Sequence, residues 1–139
     1  MDGKTDLIYN YPEMFSFFRK KGPLPPFNDL RSSPIKEKYF VRTCQWRWLD
    51  KTAITVIDKE QPRIITLDPW PQLVFLEATG DKTISEFIHY LAGQYTSKIP
   101  PELDITVLSE IETLLGEKMI ELKNEKTILP PGILQPLHN

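Results

Sequence analysis

Cysteine is almost missing from this chain of 139 residues. Cys44 stands alone, which excludes an internal disulfide, and with only His89 and His138 beside it no zinc-ligand set can be assembled. Long apolar runs are missing too, so nothing approaches the ~20 residues of a membrane span. The charged opening residues lack the positive start and apolar stretch of a secretory signal. These absences lead us to expect a soluble, cytoplasmic protein with no membrane role. Also missing are a glycine-rich phosphate loop, a nucleophile elbow and a helical histidine pair. No enzyme activity, catalytic residue, metal or cofactor is therefore expected.

What is present is ordinary for a globular chain, with 40% hydrophobic and 26% charged residues, which excludes wholesale disorder. The length fits one domain with a real core. Proline is the exception: there are 13, concentrated in residues 12–34 and 130–136. Such clustering marks irregular ends around a compact middle. We divide the chain into a proline- and aromatic-rich arm (residues 1–37), a folded domain (38–129) and a proline-rich tail (130–139). Residues 1–50 carry 9 Lys and Arg against 6 Asp and Glu, whereas residues 51–139 carry 8 against 13, so the domain is acidic.

Within the arm, residues 11–22 read as a short helix. Pro12 suits its first turn, Arg19, Lys20 and Lys21 suit the negative end of the dipole, and Gly22 suits the cap. Met14, Phe15, Phe17 and Phe18 are too apolar for a free tail, so the arm is expected to pack on its own domain or to join two copies as a homodimer. From residue 38 the period changes to that of strands: residues 38–49, 53–57 and 63–67 read as a three-stranded antiparallel meander with short polar connections. Asp68-Pro69-Trp70-Pro71 opens a helix that closes at Ala78-Thr79-Gly80. Thr83-Ile84-Ser85-Glu86 has the form of a capping box, and Phe87, Ile88, Leu91 and Tyr95 continue one apolar face. A third helix begins between residues 100 and 104, with Leu103, Val107, Ile111 and Leu114 as its main stripe. Asp104, Leu108, Glu112 and Leu115 form a mixed stripe beside it. Residues 119–122 and 127–129 flank a polar turn and read as a small hairpin. The fold class is α+β, with the order of a winged helix-turn-helix: meander, three helices, then the hairpin as wing.

Three strands, a helix ending at Gly80-Asp81-Lys82-Thr83, the helix after it, and a last helix running into Met119-Ile120-Glu121-Leu122 resemble the PqqD-like proteins, known also as RiPP precursor recognition elements. The resemblance covers residues 38–122. It implies a non-catalytic winged-helix module that binds a precursor peptide and presents it to a modifying enzyme. In that family the peptide adds as a strand to the third strand and lies against the third helix. By position, the resemblance implies a peptide site made of Arg63, Ile64, Ile65, Thr66 and Leu67 with Asp104, Leu108, Glu112 and Leu115. An open edge supplies backbone hydrogen bonds and alternate side chains supply selectivity. Leu108 and Leu115 fit a core role equally well by spacing.

Two other classes stay open. One is a scaffold or oligomerisation protein whose arm covers the strand edge. The other is a winged-helix DNA-binding regulator, although Glu102, Asp104, Glu110, Glu112 and Glu117 around the recognition position would face phosphate with negative charge, leaving nucleic acid an unfavoured partner. His89 with Glu86 one turn before it reads as a surface pair. Cys44 beside Trp46 reads as a small buried apolar residue, and Trp46, Trp48 and Trp70 read as core.

Overall fold

Apolar and β-branched residues in short runs, cut by proline, glycine and aspartate, give this chain small sheets rather than one large one. The computed structural model describes residues 23–58 and 63–138. The expectations for residues 11–22, including burial of Phe15, Phe17 or Phe18, lie outside the described residues.

The described chain is α+β, with five helices and two antiparallel three-stranded sheets. The helices are α1 (Asn28–Arg31), α2 (Pro69–Glu77), α3 (Ile84–Gln94), α4 (Leu103–Gly116) and α5 (Pro131–Leu134). The strands are β1 (Tyr39–Arg42), β2 (Gln45–Trp48), β3 (Ile54–Asp58), β4 (Arg63–Thr66), β5 (Thr79–Thr83) and β6 (Ile120–Lys123). One sheet runs β5-β1-β6 and the other β2-β3-β4.

The run at residues 38–49 is therefore not one strand. It breaks at Thr43 and Cys44, and its halves enter different sheets. The break has a polar cause: the Thr43 N–H donates to the Met119 carbonyl at 2.9 Å and its Oγ1 donates to the Lys118 carbonyl at 2.7 Å. These bonds tie the corner to the end of α4 instead of to a neighbouring strand. The meander survives as β2-β3-β4, with Trp46 opposite Val56 and Val56 opposite Ile65. Its first turn is held by Asp50, whose carboxylate accepts the N–H groups of Thr52 and Ala53 and the Thr52 hydroxyl, which together hold its pKa below the usual carboxylate value.

The expected hairpin of residues 119–122 with 127–129 does not form either. β6 pairs with β1 over four positions, Tyr39 with Lys123 through Arg42 with Ile120. Thr127 instead donates its N–H to the Gly80 carbonyl, at 3.0 Å. On the other side of β1 lies β5, formed from the residues expected to be only a turn.

The helices follow local chemistry. The capping box at α3 is complete: the Glu86 N–H reaches Thr83 Oγ1 at 3.0 Å, and the Thr83 N–H reaches the Glu86 carboxylate at 2.8 Å. Asp68 holds the N-cap position of α2 without a side-chain capping bond. Gln72 ties α2 to the β2–β3 turn, accepting from Ile54 N–H at 3.0 Å and donating to the Thr52 carbonyl at 2.7 Å. The α4 stripe Leu103, Val107, Ile111 and Leu114 is buried, as its spacing predicts, in one core with Phe75, Phe87, Ile54 and Phe40. No helix among the described residues is long and apolar enough to cross a membrane.

Candidate functional site: an open strand edge

β4 sits at the margin of its sheet. Its ladder with β3 runs from Asp58 opposite Arg63 to Thr55 opposite Thr66, and no other described strand pairs with its far side. Arg63 fixes where the strand begins. Its guanidinium donates to the Glu117 carboxylate at 2.9 Å and to the buried Asp58 at 3.3 Å, and the Glu117 bond is the main reason its pKa is raised. The start of β4 is thereby joined to the residue that caps α4.

Opposed residues of a sheet share a face. Ile65 lies over Val56 and packs partly against the core with Leu67, whereas Ile64 lies over Ile57 on the other face and is 72% exposed. Ile57 in turn lines a cavity of about 740 Å³ together with Leu115, Ile120, Leu122 and Ile133. Asp58, Lys118 and Glu121 add charged groups to its lining, so the exposed side of β4 borders a mixed depression bounded by α4, β6 and the tail. Thr66, opposite Thr55, is exposed and lies on the same face as Ile64, two residues along the strand.

Of the helix residues expected to face a peptide, the structure brings Leu115 to this region, half-buried in the cavity wall. Leu108 is half-buried against the core, and Glu112 is exposed. Asp104 is not available to a ligand. It is 2% exposed and its carboxylate accepts the Leu30 N–H at 3.0 Å, which satisfies an orphan donor of α1. The proline-rich segment that carries α1 covers that end of α4.

The opposite margin of the sheet is occupied. After α5, the Leu137 N–H donates to the Trp46 carbonyl at 2.7 Å, and the Trp46 indole donates to the Ile133 carbonyl at 3.0 Å. The tail therefore lies along β2, so one edge of the sheet is covered from within while β4 is not paired by any described segment.

Arg42 holds that tail in place, and its role is not evident from spacing alone. It is 3% exposed, and its guanidinium donates to four carbonyls: Phe75 and Leu76 near the end of α2, and Ile133 and Leu134 near the end of α5. It also lies 5.3 Å from the Trp46 ring centroid and 5.8 Å from that of Phe75. Burial pushes its pKa down to about 10, which leaves it charged at neutral pH, where the carbonyl ends of two helices suit a cation. The available sequence signal is an arginine inside the apolar run Tyr39-Phe40-Val41-Arg42.

The remaining candidates have structural roles. His89 Nδ1 lies 2.8 Å from the Ser85 carbonyl, and its ring meets Phe27 edge-on at 5.8 Å, while Glu86 serves the capping box. Cys44 is buried beside Thr43. Among the described residues no group of three or more His, Cys, Asp and Glu side chains stands together as a metal site. No family model, curated protein or solved structure matches this chain.

Proposed function

We propose that this chain is a non-catalytic peptide- or protein-binding module whose ligand adds as a strand to β4, in the manner of the PqqD-like recognition elements that its sequence resembles. The observation that carries the reading is the pairing of an edge strand with a 72% exposed isoleucine, Ile64, beside a cavity whose lining mixes apolar and charged residues and includes Ile57 and Leu115. Backbone groups along β4 supply affinity, and alternate ligand side chains rest on Ile64 and the Ile57–Leu115 wall. In this reading α2, α3 and α4 with the β5-β1-β6 sheet are the winged-helix part, β1 standing where the wing's second strand was expected. The ligand is an extended peptide with apolar residues at every second position, presented to a partner enzyme in the cytoplasm.

DNA binding is the weaker reading. No lysine or arginine occurs within α4, the helix in the recognition position, so phosphates would find no cation there. The test is an amide NMR titration of the full chain with a synthetic peptide of about ten residues alternating valine with lysine, matched to strand period, and in parallel with duplex DNA at moderate salt. Saturable shifts centred on Arg63, Ile64, Ile65 and Thr66 support the module. Saturable DNA binding with shifts on α4 would replace it.

A further inference from the structure

A second groove lies away from β4, between α2 and α3. Trp70, Leu73, Tyr90, Leu91 and Tyr95 line it together with Glu77, around a volume of about 420 Å³. Three aromatic rings and two leucines give it a surface suited to other aromatic side chains, which pack edge-to-face or offset with one another. Its electrostatics favour a cation. Glu77, the last residue of α2, places a carboxylate in its lining. The Tyr90 ring already takes one ammonium group, Lys82 Nζ, at 4.8 Å from its centroid.

We propose that this groove is the docking site of the chain's own N-terminal arm, with Phe15, Phe17 and Phe18 as its anchors. The arm joins the fold beside the groove: Phe27 is 3% exposed and its ring packs on His89, the neighbour of Tyr90 in α3. Phe18 precedes Phe27 by nine positions, and an extended chain covers up to ~3.3–3.6 Å per residue. That reach exceeds the ~16 Å length of an 11-residue helix such as α3, so an arm starting at Phe27 can run the whole groove. The sequence matches in charge as well, since Arg19, Lys20 and Lys21 follow the phenylalanines directly and are opposite in sign to Glu77. Docking here leaves β4 to an external ligand and is independent of whether that ligand binds.

The test uses the full chain with ¹³C-labelled leucine methyls. Nuclear Overhauser contacts are expected between phenylalanine ring protons of the arm and the methyls of Leu73 and Leu91. The combined Phe15→Ser, Phe17→Ser and Phe18→Ser variant should lose those contacts and shift the Leu73 and Leu91 methyl signals. Leu103 and Leu114, buried in the core, serve as controls and should keep their positions. Unmoved Leu73 and Leu91 signals in the variant would overturn the proposal. So would contacts seen only between differently labelled chains in a mixed sample, which would assign the groove to the arm of a second copy.

Discussion

Gly80 occupies a position that no side chain fits. Its φ of +84° lies where L-residues are strained, and a Cβ there would stand 2.4 Å from the Thr127 carbonyl oxygen and 2.9 Å from Val41 Cγ1. The glycine lets the chain after β6 bond to β5, through the Thr127 N–H. Gly80→Ala is expected to destabilise the fold by about 2 kcal/mol or more, because strain and a backbone clash add; urea unfolding measures it. Arg42 makes the complementary case, a charge admitted to the interior because four carbonyls receive it. Arg42→Met would leave those carbonyls without their donor and should cost about 3 kcal/mol or more. The sign of its pH dependence follows from burial. With its folded pKa lowered to about 10, the unfolded chain holds its proton to higher pH than the folded one, so the fold gains stability as pH rises above about 10. From pH 6 to 9 the difference between the parent and Arg42→Met should stay constant, as paired unfolding curves will show.

At the scale of elements, what could be read from the chain was local. The capping box at Thr83 and Glu86 involves residues three apart, and the α4 stripe repeats within one helix, so both stand in the sequence. Strand partners do not. Thr79-Gly80-Asp81-Lys82-Thr83 has no apolar alternation and is a strand because β1 lies beside it. Residues 120–123 leave their sequence neighbours to pair with β1. The candidate site shows the same division. Residues 63–66 read as a strand from their β-branched run, but their place at the margin depends on the strand order β2-β3-β4, with no described strand pairing beyond β4. Asp104 shares a helical stripe with Leu108 and Leu115, yet α1, from a segment that reads as an irregular arm, buries it. The tail is the element whose removal tests this arrangement. Deleting residues 130–139 takes away two of the four Arg42 acceptors, the partner of the Trp46 indole and the cover of β2. The shortened chain is expected to melt several degrees lower, as ~1 kcal/mol per lost hydrogen bond implies for a domain of this size, and its Trp46 emission should move to longer wavelength.

At the scale of the whole molecule, two sheets share one core and differ in how their edges end. The β2 edge is closed by the tail; the β4 edge is met by no described strand and carries Ile64 on its outer face. An exposed apolar residue on an edge that no described strand pairs is a liability, and the proposed ligand would cover it. Ile64→Lys should therefore leave stability within about 0.5 kcal/mol, as for other surface changes, while weakening the valine–lysine peptide at least ~10-fold, or ~1.4 kcal/mol. Calorimetry with the parent alongside reads both. The most direct test of strand addition is amide hydrogen exchange along Arg63, Ile64, Ile65 and Thr66 in the full chain, with and without saturating peptide. The account predicts that those amides of β4 that do not bond to β3 exchange fast in the free protein and slow at least ~10-fold when the peptide pairs with them. Outward amides already protected in the free chain, or exchange unchanged at saturation, would contradict it.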